Sequence, residues 1–221
     1  MGIWTRLDCV LGTAGLMRGA LSLALHHAKH REVFGKSLVQ QPLMQNVLAD
    51  MALETEAAQA LALRLAGAFD RRKQGHEALL MRLLTPAAKY WVCKRGPALA
   101  AEAMEVLGGN GYVEEGLAAR IYRQMPLNSI WEGSGNVMCL DVLRALSKHG
   151  SAVDALHAEL EPAFGSSPAF DRHVAWLIKQ LKNPESIEAQ GRQLTQGIAL
   201  AVQGALLLRN APDFVSSAFC E

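Results

Sequence analysis

Glu132 sits between the indole of Trp131 and Gly133, in the run Asn128-Ser129-Ile130-Trp131-Glu132-Gly133-Ser134-Gly135-Asn136. A carboxylate so placed is a candidate proton acceptor, because burial among apolar groups raises its affinity for a proton. Gly133 and Gly135 remove side-chain bulk, which would let a flat ligand approach the backbone. Ser134 or Asn136 is positioned to cap a helix starting near Val137. The N–H groups and positive dipole end of that helix suit an anionic or electron-rich group. A solvated glutamate in a glycine-rich loop has the same signature, so this stretch alone does not decide between them. Two further patterns lie upstream. Gly108-Gly109-Asn110-Gly111-Tyr112 is a second glycine loop, and Arg31-Glu32-Val33-Phe34-Gly35 sets a guanidinium and an aromatic ring around a glycine turn. The latter pair suits a phosphate with a ring stacked beside it. It equally fits a plain helix–helix connection with Phe34 in the core and Arg31 in water. His26 and His30 fall one helical turn apart, which a cationic or solvated helix end explains, and no metal site is assigned.

The elements that must position these groups are helices. Half of the residues are hydrophobic, Ala and Leu dominate over Val and Ile, and strand-like alternation is nearly absent, which predicts an all-α chain. Apolar residues at steps of three or four predict a first helix over about residues 6–30, carrying Val10, Ala14, Met17, Leu21 and Leu25 on one face. Pro42 is suited to the first position of a second helix reaching about residue 72. The third helical stretch contains Thr85-Pro86 and Gly96-Pro97. An interior proline costs about 3 kcal/mol, so a cap or kink is expected at Thr85 and another irregularity at Gly96. Residues 98–107 form a helix ended by Gly108. Short helices follow over 117–124, stopped by Pro126, and from Val137 to about residue 148. Together these predict an antiparallel helical bundle with short connections. Beyond Gly150, helices are expected over 153–160, 170–181 and 185–209, the last capped by Asn183.

The formal net charge is +1 and selects no polyanionic partner. Residues 1–148 hold 17 Lys and Arg against 13 Asp and Glu, whereas the remainder holds 5 against 8, so the tail is not a basic arm. Cys9, Cys93, Cys139 and Cys220 lack paired spacing and read as reduced thiols of a cytosolic protein rather than a zinc site. No signal peptide and no apolar run long enough to span a bilayer are evident. The chain enters helix almost at once and stops after an apolar stretch, as a piece of a longer protein would.

Three motifs stand in order: Arg31-x-x-Phe34-Gly35, Glu105-Val106-Leu107-Gly108-Gly109-Asn110-Gly111-Tyr112 and Ile130-Trp131-Glu132-Gly133-Ser134. Over about residues 6–148 the chain resembles the C-terminal helical domain of the acyl-CoA dehydrogenase superfamily. Residues 128–140, with Thr85-Pro86-Ala87-Ala88-Lys89-Tyr90-Trp91, resemble its AidB-like branch, flavoproteins of the bacterial DNA-alkylation response. That branch carries a helical region after the bundle, and residues 149–221 are similar to its beginning. The resemblance implies a bundle domain over 1–148 and a truncated extension over 149–221. It places an N-terminal helical domain and a middle β domain outside this chain.

The resemblance also implies FAD, held weakly or not at all by this chain alone, an acyl-CoA substrate, a homo-oligomer (dimer or tetramer) formed through the bundle, and a cytoplasmic protein without a membrane partner. Arg31 and Phe34 would reach the FAD of a neighbouring subunit, and Gly108 and Gly109 would let it approach the backbone. Glu105 stands where many relatives carry glutamine, bringing a charge near the cofactor, and Pro42 likewise replaces a glutamine. Ile130, Trp131, Gly133, Ser134 and Asn136 fall on cofactor-contacting positions, with Ser134 and Asn136 on the FAD of their own subunit. Trp131 and Arg144 line the substrate pocket, where the bulk of Trp131 would restrict long acyl chains. Glu132 matches the base that removes the proton next to the thioester carbonyl, the hydride of the neighbouring carbon passing to flavin. Two alternatives stay open. One is an AidB-type flavoprotein that protects double-stranded DNA, with dehydrogenation vestigial. The other is an isolated chain serving only as an oligomerisation scaffold. Against the first, the tail's excess of acidic groups opposes a strong phosphate grip, though Lys179, Lys182, Arg192 and Arg209 could gather into a local patch.

Overall fold

The computed structural model describes residues 2–148, 151–181 and 188–221. Gly150, Lys182 and the expected cap and helix start at Asn183 and Glu185 lie outside the described residues. The described chain is almost entirely helical: α1 (Gly2–His30), α2 (Pro42–Asp70), α3 (Gly75–Leu107), the single turn α4 (Gly109–Tyr112), α5 (Leu117–Asn128), α6 (Gly135–Lys148), α7 (Ser151–Leu160), α8 (Pro168–Leu181), α9 (Gly191–Asn210) and α10 (Asp213–Cys220). A two-residue hairpin, β1 (Glu32–Val33) and β2 (Lys36–Ser37), joins α1 to α2 around Gly35 at φ +80°.

Each stripe read from the sequence faces the interior. Val10, Ala14, Met17 and Leu21 of α1 are buried together with Leu61 and Leu65 of α2 and Leu80 and Leu84 of α3. Side-chain contacts fix the directions. Gly96 of α3 meets Thr13 of α1, and Arg6, nearer the start of α1, shares Asp141 with Arg82, nearer the start of α3, so α1 and α3 run the same way, with α2 packed against both. α5 runs back along α1, since Gly19 faces Ile121 while Asn128 Nδ2 donates to Thr13 Oγ1 at 2.9 Å.

Three of the prolines end no helix. α3 passes without interruption through Pro86 and Pro97, and α5 continues past Pro126 to Asn128. Each proline removes one backbone bond, but the turns of α3 on both sides of Pro86 are buried from Leu83 to Tyr90, and that packing outweighs a local propensity. Thr85 is not a cap: its Oγ1 donates to the Met81 carbonyl at 2.7 Å inside the helix. Gly96 marks a close approach of helices rather than an irregularity. A Cβ there would lie 2.7 Å from Met125 Sδ and 2.8 Å from Thr13 Cγ2. Gly96→Val is therefore expected to destabilise the fold by about 1–3 kcal/mol through overpacking, read from the urea midpoint.

Two more expectations change. α1 is long and apolar enough, by length and composition, to cross a bilayer, which the sequence reading did not credit to any segment. Here it is a core helix whose apolar face is covered by α2, α3 and α5. A further helix, α10, follows Ala211-Pro212 and was not expected. α7 to α10 pack on the bundle, and Phe170, Val174, Leu194, Ile198 and Val202 belong to the same continuous core as Leu21 and Leu84. Polar ties reinforce this junction. Trp91 Nε1 donates to Gln203 Oε1 at 3.1 Å, and Arg64 of α2 is shared between Glu77 of α3 and Glu159 of α7.

Candidate active site

The loop between α5 and α6 presents Trp131 half-exposed and Glu132 exposed. Among the described residues, Phe34 (φ +52°) and Glu132 (φ +58°) are the two non-glycine residues in the left-handed region. An L-residue there is disfavoured by about 1–2 kcal/mol, so neighbouring contacts must hold it.

At Glu132 those contacts are cationic. Arg6 Nε donates to the Glu132 carbonyl at 3.1 Å, and Lys89 Nζ donates to the carbonyl of Gly133 (φ +105°) at 2.8 Å. Arg6 in turn pairs with Asp141 of α6 at 2.6 Å, which also takes Arg82 of α3 at 2.7 Å. Burial opposes ionisation of Asp141, but the bonds and charges of Arg82 and Arg6 outweigh it and hold the carboxyl below its usual range. Around Lys89, burial pushes the Cys93 thiol up to about 11 and raises that of Cys9, so both stay protonated near neutrality. Arg6, Lys89, Arg82 and Asp141 escaped the sequence analysis as site residues. The available signal was a lone lysine inside an apolar helical run, with its partner distant in the chain.

The glycines of this loop serve a different purpose from the one expected. A Cβ at Gly133 would lie 2.6 Å from Met138 Cε, and one at Gly135 would lie 2.9 Å from Lys94 Cε. The room they leave is filled by the protein's own side chains. Helix α6 begins at Gly135, so Asn136 lies inside it and the Met138 N–H bonds the Ser134 carbonyl at 3.0 Å. Asn136 Oδ1 accepts from Arg192 Nε of α9 at 2.8 Å, while Arg209 is paired with Glu159. Two of the tail's candidate cations are thus engaged within the chain. Ile130, Ser134 and Arg144 are exposed.

Arg31, Phe34, Glu105, Gly108 and Gly109 lie towards the opposite end of the bundle. Arg6 and Arg31 are separated by most of α1, about 37 Å at 1.5 Å per residue. One copy therefore does not bring them onto Glu132. Phe34 is 98 % exposed at the hairpin tip. Gly108 (φ +61°) and Gly109 are exposed, and beyond their adjoining backbone nothing lies within 4 Å of where a side chain would begin. His30 Nδ1 lies 2.8 Å from the His26 carbonyl and the two rings are 4.4 Å apart, an end-of-helix arrangement.

A family model described as acyl-CoA dehydrogenase, C-terminal domain, matches residues 3–147. The chain belongs to the acyl-CoA dehydrogenase family. It is 51 % identical to AidB of Escherichia coli (strain K12) over 221 residues, covering 100 % of this chain and 40 % of that protein. It is 31 % identical over 206 residues to acyl-CoA dehydrogenase family member 11 of Caenorhabditis elegans, covering 91 % of this chain and 32 % of that one. The crystal structure of Caenorhabditis elegans ACDH-11 in complex with C11-CoA superposes with a TM-score of 0.93 at 28 % identity, covering 100 % of this chain and 42 % of that one. The chain thus spans well under half the length of these relatives.

For an acyl-CoA dehydrogenase the cofactor implied is FAD, and the residues present fit it. One end of the bundle offers the exposed Phe34 ring, an exposed guanidinium and bare glycine backbone, and the other offers Ser134 and the Glu132 carboxylate, with the Asn136 side-chain oxygen already taken by Arg192.

Proposed function

We propose that the full-length protein is an FAD-dependent dehydrogenase of acyl-CoA thioesters, with Glu132 as the base. The observation that supports this most is the coincidence of backbone strain with candidate chemistry. Among the described residues, the two non-glycine residues held at positive φ, 98 positions apart by their numbers, are Phe34, expected at the pyrophosphate and adenosine end of a neighbouring subunit's FAD, and the expected base Glu132. Strain of this kind persists where the surroundings over-determine it, and it concentrates at functional sites.

In this reading Ser134 and Asn136 hold the FAD of their own subunit, with the backbone of residues 130–133 beside it. Arg31, Phe34, Gly108 and Gly109 hold the FAD of a neighbouring one, with Glu105 adding a charge nearby. Because the two groups sit at opposite ends of one copy, the complete site is an oligomer's property. Trp131 and Arg144 border the acyl pocket, and the bulk of Trp131 favours short or compact acyl groups. FAD, when bound, supplies the two-electron acceptor for the β-hydride, so the thioester is oxidised to its α,β-unsaturated form as the flavin is reduced. The Glu132 carboxylate takes the α-proton and becomes the neutral acid. The compartment proposed is the cytoplasm.

Phe34 offers a test of the oligomer's part. Phe34→Gly removes a strained, exposed ring, so thermal stability of the isolated chain is expected to hold or rise by about 1 kcal/mol. The full-length protein is expected to bind FAD at least about tenfold more weakly, because a stacked aromatic contact of about 0.5–1.5 kcal/mol and its buried area are lost together. Unchanged FAD affinity by fluorescence titration removes Phe34 from the cofactor site.

A further inference from the structure

Lys89 is 1 % exposed, and among the described residues it is the one buried cation. A buried ammonium is costly unless compensated, yet Lys89 makes no ion pair within 4.0 Å among the described residues, and its hydrogen bond goes to the Gly133 carbonyl at 2.8 Å. Its neighbours do not neutralise it. The Cys9 and Cys93 thiols are kept protonated by burial, Arg6 repels it, and Glu132 is the carboxylate whose charge favours it. An apolar side chain would fill the same space at lower cost. What the ammonium supplies is a fixed donor at the residue following Glu132. With Arg6 on the Glu132 carbonyl, it leaves the loop's consecutive carbonyls each tied to a different helix, α1 and α3.

We infer that Lys89 is a positioning residue for Glu132, its ammonium anchoring the Gly133 carbonyl and so holding the left-handed turn that aims the carboxylate. This rests on Glu132 being the base. Without the donor, positive φ is the costlier conformation at Glu132, and the loop relaxes away from the aimed geometry. Misplacement of a reacting group by about 1 Å lowers rates by about 10²-fold.

The test uses the full-length flavoprotein and a 3-thia-acyl-CoA, whose sulfur at the β position leaves no hydride to transfer. The base exchanges its α-hydrogen with D2O, and mass spectrometry follows the label without any turnover. In Lys89→Met, with flavin content and melting midpoint close to wild type, exchange at saturation is expected to fall about 10–100-fold. The dissociation constant of the analogue is expected to move less than about threefold, since Lys89 touches no ligand surface. Should Lys89→Met not fold, Lys89→Gln, uncharged and one bond shorter, is read the same way. Unchanged exchange overturns the inference, as does a loss of exchange that is matched by an equal loss of binding, which a merely structural role would produce. Wild-type protein that binds the analogue but exchanges nothing overturns the Glu132 reading itself, and the inference with it.

Discussion

In the full-length protein loaded with FAD, Glu132→Gln is expected to slow flavin bleaching by a short acyl-CoA about 10²–10⁴-fold, the usual contribution of a general base. Glutamine keeps the shape and the hydrogen-bonding capacity but cannot accept the α-proton. Acyl-CoA affinity should change little, because the interaction removed matters in the transition state rather than in binding. Stability should hold as well. The Glu132 carboxylate is exposed, and the bond to Arg6 uses the backbone carbonyl, which the substitution leaves in place. Anaerobic absorbance after mixing with the thioester is the measurement. A variant that bleaches at the wild-type rate takes the base away from position 132 and the proposed reaction with it.

The second large effect lies at Arg64, which bonds Glu77 at 3.0 and 3.3 Å and Glu159 at 3.0 and 2.7 Å, with Arg71 and Arg209 completing the network. Arg64→Met leaves two largely buried carboxylates facing one another with reduced compensation. Breaking a buried pair from one side costs about 3–5 kcal/mol, here read as a lower urea midpoint. The pH dependence carries a second signature. Burial opposes ionisation of Glu77, but Arg64 first, then Arg71, outweighs it and holds its folded-state pKa below the ordinary value. A carboxyl lowered on folding contributes stability that is present above its unfolded pKa, about 4.3, and is lost as pH falls through the folded value. Wild-type chain should therefore lose stability on acidification through that window, and Arg64→Met should lose much less. A destabilisation under about 1 kcal/mol at pH 7 would mean that water or Arg71 and Arg209 already satisfy the acids. Because Glu159 belongs to α7 and Arg209 to α9, the same substitution should also loosen the C-terminal helices from the bundle, measurable as faster amide exchange there.

Helical periodicity, Gly108 as a terminator and Pro42 as a starter were all legible locally, because each acts through the backbone of its own segment. The prolines at 86, 97 and 126 suggest breaks that the fold does not make, for the same reason in reverse. A proline's cost is local, but the burial of Leu83 to Tyr90 that overrides it comes from other helices. Gly133 and Gly135 look identical to ligand-facing glycines in one dimension, and only packing shows Met138 and Lys94 occupying their space.

The sequence by itself determined the all-α architecture, the order of the three motifs and the identity of the candidate acid, since these depend on residue type and short spacing. Tertiary structure decided that Glu132 and Phe34 are strained, that Lys89 and Arg6 grip the loop around the acid, and that the residues expected at the cofactor divide between two ends of the bundle. Those facts arise from side chains tens of residues apart meeting across parallel helices, and the pairing of distant positions depends on helix register, which no local pattern in the chain encodes.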